Sequence, residues 1–276
     1  MVEAPRIRIT YEKIKFTKFR TICKISGPSY RKMNVDLVGY IIRKWWFAGK
    51  YIYMHIIREN YPDYVIRTHM MMYGRILLSH EIVNPKLIIF MSIELDDGTN
   101  LKWFLSQIKL LDPNCHNSIV KTNYNECSSN KAINDSIIMM KYDLSNESFD
   151  EIKFFQHLCQ GINKYPDDIL TDFLLDQEFF PGIGNILQQE ALYKCRLLPE
   201  RLVSKTNQND FTCIIKSLKY IINKLYQSYI NQSKGLTFEP IFQIYHKSKC
   251  PLGHKTITKY IGKRNRRTTW CPICQK

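Results

Sequence analysis

The sequence contains no uninterrupted apolar run of the roughly 18 residues that a membrane span requires. Its N-terminus, MVEAPRIRI, lacks the charged and then apolar build of a signal peptide. The nine cysteines do not form an even disulfide framework, and six of them are scattered without regular spacing. We therefore expect a protein that stays inside the cell, in a reducing compartment, with these six thiols unpaired.

Acidic residues are also scarce: 25 Asp and Glu stand against 40 Lys and Arg, which gives a formal net charge of +15. From Ile241 to the last residue there are nine Lys and Arg and no acidic residue. A block of like charge repels itself unless a polyanion or counter-ions neutralise it, so this pattern favours a nucleic-acid partner. The alternative is a merely basic soluble protein.

The apolar pattern predicts two main domains with different secondary structure. The chain of 276 residues is 45% hydrophobic, which is enough for two cores. Short alternating or β-branched runs predict strands, and hence a β-sandwich or barrel, at residues 21–25, 51–57, 87–93 and 99–105. The extreme N-terminus is ambiguous, because Ile7, Tyr11 and Ile14 also fit one face of a helix. Between residues 112 and 141 the sequence becomes rich in Asn and Ser, and we place the domain boundary there.

Helical periodicity follows this boundary. The first predicted helix carries an apolar face at Phe149, Ile152, Phe155 and Leu158, and Gly161 stands where its C-terminal stop would fall. Pro166 is expected as the first residue of the next helix, which ends near Gln177. A later, longer helix is marked by Ile214, Leu218, Ile221 and Leu225.

A glycine-rich turn, 175-LDQEFFPGIGNI-186, lies in the middle of the helical part. Its glycines permit a turn that side chains with a Cβ would strain, and such a turn exposes backbone amides at a helix N-terminus. Together with the side chain of Asn185, these amides predict a neutral phosphate-binding site. The alternative is an ordinary helix-capping turn.

Four metal-ligand residues stand near the C-terminus. Cys250 and His254 form one close pair, Cys271 and Cys274 form another, and sixteen residues separate the pairs. This spacing predicts one structural Zn²⁺ held tetrahedrally. Free cysteines in a disordered tail are the alternative, but they would leave that tail without a core. Arg264, Arg266 and Arg267 would then lie on a rigid, phosphate-seeking hairpin.

Two segments together resemble the Fpg/Nei family of DNA glycosylases: LLDQEFFPGIGNILQQEAL with Pro199 downstream, and the ending RRTTWCPICQK. The resemblance implies an N-terminal β-sandwich (1–141), a helix-two-turn-helix domain (142–236) and a C-terminal zinc finger (237–276). It also implies a monomeric base-excision repair enzyme that removes oxidised bases from damaged DNA and then cuts the strand.

The same resemblance implies the catalytic residues. After removal of Met1, the α-amine of Val2 is the nucleophile, as in a Nei-like branch with Val at this position, and Glu3 is the acid/base residue. An α-amine titrates near ~8 and a lysine amine near ~10.4, so far more of the α-amine is neutral at cellular pH. A solvated surface charge is the alternative interpretation of Glu3.

Further residues match DNA contacts of the family. Lys50 matches a lysine that holds the phosphate of the damaged nucleotide and is expected to take part in catalysis, and His69, Asn185 and Arg266 match phosphate contacts. The loop that fills the gap left by a flipped base corresponds to Met71, Met72 and Tyr73. For these three residues, a core strand with gap-filling methionines is the alternative.

One segment departs from the family. After Phe104 the usual Asp-x-Arg-x-Phe-Gly is replaced by Leu105-Ser106-Gln107-Ile108-Lys109. The loss predicts weaker discrimination of the opposite base and suits single-stranded DNA. Oxidised pyrimidines and hydantoins are the expected lesions. The alternatives are an Fpg-like preference for 8-oxoguanine and formamidopyrimidines, or a damaged-DNA-binding protein with weak catalysis.

Overall fold

The computed structural model describes residues 2–79, 81, 87–112, 125–126, 129–236 and 242–276. Its internal contacts divide the chain into two compact units. The sandwich unit comprises Val2 and Ile7–Ile138, and the helical unit comprises Glu3–Arg6 and Met139–Lys276. Within the described ranges, no helix combines the length and apolar character needed to cross a membrane.

The sandwich unit is built on two sheets, which confirms the predicted β-sandwich. Its strands are β1 (Ile22–Ser26), β2 (Ile41–Ala48), β3 (Tyr51–Ile57), β4 (Tyr64–His69), β5 (Arg75–Leu78), β6 (Ile89–Leu95), β7 (Asn100–Phe104), β8 (Gln107–Leu111) and β9 (Asn125–Glu126). One sheet has the order β1-β6-β7-β5 and the other β2-β3-β4-β8-β9. The β8–β9 pair is parallel, and the other pairs are antiparallel.

The core of this unit lies between the two sheets. Met91, Ile93 and Leu95 alternate along β6 and are buried, because successive side chains of a strand point to opposite faces. On β7, the indole Nε1 of Trp103 donates a 3.0 Å hydrogen bond to Thr68 Oγ1 on β4. The bond joins the two sheets and satisfies the polar atom of a fully buried tryptophan.

Besides two short 3₁₀ helices, Lys15–Thr17 and Val203–Lys205, the described residues contain seven α-helices and one hairpin. They are α1 (Ala4–Ile14), α2 (Pro28–Arg31), α3 (Ser129–Met140), α4 (Glu151–Lys164), α5 (Leu170–Leu174), α6 (Asn185–Lys194), α7 (Gln208–Ser233), β10 (Ile257–Ile261) and β11 (Arg266–Trp270). The ambiguous N-terminus is a helix, with Ile7 and Ile14 fully buried. The predicted long helix is α7, which begins with a capping box between Asn207 and Asp210.

Two expectations about the helices were wrong. Gly161 lies inside α4, which continues to Lys164. An added Cβ at this position would come within 2.6 Å of the Phe179 ring. Glycine is needed for this close packing, not for a stop. The buried face of α4 contains Phe154 and Leu158, whereas Ile152 is 73% exposed.

The helix expected to begin at Pro166 begins instead at Leu170, and it ends at Leu174 rather than near Gln177. The backbone amides of Leu170 and Thr171 bond to the carbonyls of Arg201 and Pro199. Because of these bonds to remote residues, the helix begins four residues after the start that its local sequence predicts.

The boundary segment and the cysteines also differ from expectation. Helix α3 occupies part of the region where apolar periodicity fades, while residues 113–124 and 127–128 of that region lie outside the described residues. Cys195 and Cys213 are joined by a disulfide that links the end of α6 to α7, so the expectation of unpaired thiols is wrong for this pair. Their separation of 18 residues resembles no sequence motif.

Candidate functional site

Glu3 belongs to the helical unit, and only 4% of its surface is exposed. Its carboxylate accepts hydrogen bonds from the backbone amides of Ile186 and Leu187, at 2.9 and 3.1 Å. These amides belong to the first turn of α6, where the helix dipole stabilises negative charge. The interpretation of Glu3 as a solvated charge is therefore wrong. The amides of Ile186 and Leu187 are therefore not free to bind phosphate, which corrects the expectation for these two amides of the turn.

The glycine-rich turn is shaped to admit this carboxylate. A Cβ on Gly184 would lie 2.4 Å from Glu3 Oε1, and Gly182 has a φ of +81°. Only glycine adopts such an angle without strain. Gln177 holds the turn from inside: its Nε2 donates to Ile183 O at 2.9 Å and its Oε1 accepts from Gly182 N at 3.1 Å.

The next side chains along α6 hold the C-terminal hairpin. Asn185 Nδ2 and Gln189 Nε2 both donate to the carbonyl of Arg267, at 2.8 and 3.2 Å. Thr269 N donates to Gln189 Oε1 at 2.9 Å. Asn185, predicted as a neutral phosphate contact, thus positions β11. An amide nitrogen carries two protons, so this bond leaves one for another acceptor.

A row of three aspartates, Asp168, Asp172 and Asp176, holds the tip of the same hairpin. The Asp172 carboxylate accepts the backbone amides of Lys263 at 2.7 Å and Arg264 at 3.3 Å. The Lys263 ammonium pairs with Asp168, and Arg264 Nη2 lies 3.2 Å from Asp176 Oδ2. Arg264 was expected to seek phosphate, but its charge is matched within the protein.

Arg266 and Arg267, by contrast, are exposed. Neither makes an ion pair with any residue that the structure describes. Because Arg264 before them and the Arg267 carbonyl are both held by the helices, these two guanidinium groups project from a fixed backbone. They remain available for an external anion.

The four predicted metal ligands converge at the base of the hairpin. Each of the four residues offers one ligand atom, and these four atoms all lie within 4.8 Å of one another. The residues are Cys250, His254, Cys271 and Cys274. Cys250 Sγ is 3.6 Å from His254 Nδ1 and 3.9 Å from Cys274 Sγ. Tetrahedral zinc with Zn–S bonds of about 2.3 Å separates its sulfur ligands by about 3.8 Å, so the donor set fits this ion.

Two features support this centre. Burial opposes ionisation of Cys250, but backbone hydrogen bonds from Leu252 and His254 together with side-chain hydrogen bonds from Tyr193 and Cys271 outweigh it, and the pKa of the thiol is lowered to about 6. Glu190 of α6 accepts the backbone amides of residues 243, 244 and 245, at 2.8, 3.0 and 2.8 Å. Burial raises the pKa of Glu190, and these three amides oppose the rise.

The remaining predicted residues belong to the sandwich unit. The side chain of Val2 is buried in its core. Lys50 and Gly49 form the two-residue turn between β2 and β3, since Ala48 pairs with Tyr51. Gly49 has a φ of +58°, which explains the glycine. Lys50 therefore lies on a tight turn between two paired strands.

His69 lies beside two cations. Tyr51 and His69 are cross-strand partners whose ring centroids are 4.9 Å apart, and Arg67 lies over the Tyr51 ring at 5.3 Å. Burial, and then the charges of Lys50 and Arg67, lower the pKa of His69. Lys50, Arg67 and His69 therefore share one electropositive surface, and Arg67 is a member that sequence reasoning missed.

Met71, Met72 and Tyr73, the residues predicted to act as a wedge that fills the gap left by a flipped base, lie on an exposed turn. Met71 and Met72 are about half exposed and Tyr73 is 67% exposed, so they are not core fillers. Met71 has a φ of +47°, and its amide donates to His69 Nδ1 at 3.2 Å. The interpretation as a buried core strand is wrong for all three.

Comparisons with known proteins decide the family. The family model for the formamidopyrimidine-DNA glycosylase H2TH domain matches residues 144–233. The chain is 61% identical, over all of both chains, to the endonuclease 8-like protein L720 of Acanthamoeba polyphaga mimivirus. The chain belongs to the Fpg/Nei family of DNA glycosylases. A crystal structure of a viral DNA glycosylase, 60% identical, covers both chains completely with a TM-score of 0.93.

More distant Fpg/Nei structures share the fold. Lactococcus lactis formamidopyrimidine-DNA glycosylase, crystallised non-covalently bound to DNA containing an abasic site, has a TM-score of 0.72 at 18% identity over 99% of each chain. Fpg/Nei proteins are DNA glycosylases of base excision repair, so the chain is an enzyme of that class.

Sequence reasoning found the Fpg/Nei motif residues but missed several that position them. Gln177, Gln189 and Glu190 were quoted only as letters of a motif, and Asp172 was not singled out at all. Their partners lie up to 92 residues away in sequence, which no local pattern reveals. The sequence offers one signal: polar residues lie on every side of α6, whereas a surface helix usually has one apolar face. This pattern indicates that polar side chains of α6 have partners inside the protein.

Proposed function

We propose that this enzyme is a bifunctional DNA glycosylase and abasic-site lyase whose nucleophile is the α-amine of Val2, exposed when Met1 is removed. The neutral amine attacks C1′ of the damaged nucleotide, and the base leaves as the C1′–N bond breaks. The resulting iminium acidifies the C2′ proton, whose loss expels the 3′ phosphate. Glu3 moves protons during base loss and ring opening.

The observation that carries this proposal is the position of Glu3. A buried carboxylate is costly unless it is hydrogen-bonded. Here it is held by two amides of α6 beside a glycine that leaves it room, and it is covalently next to Val2. A DNA-binding protein without catalysis would have no need of this arrangement, which argues against that alternative.

DNA contacts are proposed for both units. In the sandwich unit, Lys50 and His69 contact phosphate and Lys50 assists catalysis, while Met71, Met72 and Tyr73 fill the gap left by the flipped base. In the helical unit, Arg266 and the second amide proton of Asn185 contact phosphate. The exposure of Arg266 supports its role. We expect Arg266→Ala to weaken binding to every DNA sequence and to flatten the salt dependence.

Zn²⁺ is proposed at Cys250, His254, Cys271 and Cys274, with a structural role only. The three cysteines and one histidine, with their short sulfur separation, support zinc over harder ions, which prefer oxygen ligands. We also propose a monomer that acts on DNA within the cell, and a domain division at 1–141, 142–236 and 237–276.

The proposed substrates are oxidised pyrimidines and hydantoins, with a preference for single-stranded DNA. The exposed, short turn at Leu105, where the family's Arg-containing segment is missing, favours this choice over an Fpg-like preference for 8-oxoguanine. The test is excision from single-lesion oligonucleotides, single-stranded and duplex, by the wild type and by Glu3→Gln. We expect faster excision of hydantoins from single strands and loss of excision in the variant. If 8-oxoguanine in duplex DNA were excised as fast as hydantoins in single strands, the result would contradict the substrate assignment.

Met72→Ala separates the wedge role from a packing role. A wedge lowers the cost of flipping a base out of a duplex and matters less where the base is already unstacked. We expect excision from duplex DNA to fall more than excision from single strands. Equal losses on the two substrates would indicate a packing role.

A further inference from the structure

A groove of about 720 Å³ lies at the C-terminal end of α6, within the helical unit, and none of the roles above uses it. It borders two of the proposed zinc ligands, His254 and Cys274, but it is far larger than one metal ion. Its volume is within the range of about 300–1,000 Å³ that ligand pockets occupy. We call it the finger groove.

Two exposed aliphatic side chains stand at this groove. Leu252 is 68% exposed and Ile273 is 59% exposed. Leu252 lies within the first pair of proposed zinc ligands and Ile273 lies within the second, and a backbone hydrogen bond closes each turn, from Gly253 N at 2.9 Å and from Gln275 N at 3.0 Å. The two aliphatic side chains therefore project from fixed turns, and a partner that covers them has little of this chain to order.

The same groove has an excess of positive charge. Lys194 and Arg196 are exposed, and neither makes an ion pair with any residue that the structure describes. Arg201 also lines the groove, but its Nη1 lies 3.0 Å from an Oδ2 of Asp210, the one acidic residue among the described lining residues. Lys194 and Arg196 thus remain available for carboxylates of a partner.

The groove and the proposed DNA contacts of the helical unit lie at opposite ends of α6. This helix runs from Asn185 to Lys194, and a rise of 1.5 Å per residue separates these two residues by about 14 Å. Asn185 bonds to the carbonyl of Arg267 at one end, whereas Lys194 lines the groove at the other. A ligand of the groove can therefore bind while a short DNA occupies the N-terminal end of the helix.

We propose that the finger groove docks an acidic segment of a partner protein. Carboxylates of the segment pair with Lys194 and Arg196, and its aliphatic side chains cover Leu252 and Ile273. The combination of unmatched cations with fixed, exposed aliphatic groups is complementary to a peptide that is both acidic and aliphatic. The inference does not depend on the proposed excision chemistry.

Two other occupants fit less well. A sugar–phosphate backbone would leave the aliphatic side chains uncovered, and unpaired bases stack on aromatic rings. Tyr193 is the one tyrosine, phenylalanine or tryptophan among the described residues that line the groove, and it is only 9% exposed. A second copy of this chain is disfavoured, because each copy carries a net charge of +15 and brings no acidic surface to match the groove.

The test is fluorescence anisotropy with three labelled synthetic peptides of about eight residues. The first alternates glutamate with leucine, the second has glutamine in place of glutamate, and the third has serine in place of leucine. We expect the wild-type protein to bind the first peptide at least about tenfold more tightly than either of the others, since each of these lacks one kind of contact. The proposal is overturned if the three peptides bind equally or if none binds.

The titration is repeated with the protein saturated by a short duplex that carries a tetrahydrofuran abasic analogue. Affinity for the first peptide should change less than about twofold, because the two sites lie at opposite ends of α6. If the duplex displaces the peptide, the peptide was bound at the DNA site and the proposal is overturned. Excision by the wild type, measured alongside, tests the proposed function separately.

Arg196→Glu should weaken binding of the first peptide at least about tenfold, because it replaces an attraction with a repulsion. Arg31→Glu makes the same charge change at an exposed position of α2 and is the matched control, which should keep the affinity. If Arg196→Glu fails to fold, Leu252→Ser, at an exposed position of the groove, repeats the test. The proposal is overturned if both groove variants keep the affinity. It is also overturned if Arg196→Glu weakens binding of a longer duplex but not of the peptide, since the groove would then hold DNA.

Discussion

The N-terminal end of α6 and the two exposed turns, at Met71–Tyr73 and at Leu105, differ in how firmly the protein holds their side chains. Around α6, Glu3, Asn185, Gln189 and Glu190 are buried and bonded to named backbone atoms. At the two turns, Tyr73 and Leu105 are 67% and 42% exposed. In the first region, hydrogen bonds to the backbone hold the polar side chains in defined positions. In the second region the side chains are exposed and are held by fewer fixed contacts than those around α6.

Under the proposed roles, this difference would separate catalysis from lesion choice. A buried polar network loses the full desolvation energy of a group when one partner is removed, so changes near α6 should be severe. Exposed apolar turns contribute little to stability and tolerate substitution, so changes there should alter substrate preference. The predictions below test this division.

The largest effect is expected from Cys271→Ser, which removes one metal ligand. Metal analysis should find one zinc per wild-type chain and less than one in the variant. Affinity for DNA should fall at least about 100-fold, because the hairpin that carries Arg266 loses its anchor. Cys159→Ser, at an exposed cysteine, is the control and should keep both zinc and affinity. A variant that retained full affinity without zinc would contradict the role of the finger.

Gly184→Ala should damage catalysis more than binding. The new Cβ would come within 2.4 Å of Glu3 Oε1 and force the carboxylate away from its two amides. We expect excision to fall about 100-fold, from the loss of two hydrogen bonds to a charged group. Single-turnover excision and DNA affinity are the measurements.

Adding Glu3→Asp to Gly184→Ala provides the control, because the shorter side chain relieves the clash. The double variant should recover part of the lost melting temperature without recovering excision. If Gly184→Ala alone left excision unchanged, Glu3 would not act from this position.

How much the sequence predicts depends on how local each feature is. The strand at 51–57 and the four metal ligands follow from short spacing patterns and were predicted correctly as a strand and a cluster. The ends of α4 and α5 were not, because Gly161 packs on Phe179 and Leu170 bonds to Arg201 across the fold. Tertiary partners overrode the local stop and start signals.

The site shows the same limit. The family resemblance led to Glu3 and the glycine-rich turn led to Asn185, yet neither revealed that Glu3 accepts two amides of α6 or that Asn185 holds β11. The carboxylate and its helix are more than 180 residues apart in sequence. A single sequence contains no pattern that links positions so far apart.

Asp172→Asn tests the smaller contribution of the aspartate row. Asparagine has one carboxamide oxygen where aspartate bonds two backbone amides, so one bond to Lys263 or Arg264 is lost. At about 1 kcal/mol for a bond, affinity should fall about fivefold on every DNA sequence. Asp36→Asn is the matched control, since Asp36 also accepts a backbone amide, from Val38 in the sandwich unit. Equal losses in the two variants would argue against a positioning role for Asp172.

The smallest effect is expected from pH. The pKa of His69 is lowered in the free protein, so the ring is neutral near pH 7, and a bound phosphate should raise that pKa. Binding then takes up a proton, and affinity should rise about threefold as the pH falls from 7.5 to 6. His69→Gln should flatten this dependence in fluorescence anisotropy titrations. An unchanged slope would remove His69 from the phosphate site.

The identity of the nucleophile tests the central claim most directly. Borohydride reduction during the reaction with damaged DNA should trap a covalent complex, and peptide mass analysis should place the adduct on the α-amine of Val2. Lys50→Ala should still trap, although more slowly, while a tag fused before Val2 should abolish trapping. An adduct on Lys50, or full trapping by the tagged protein, would contradict the mechanism.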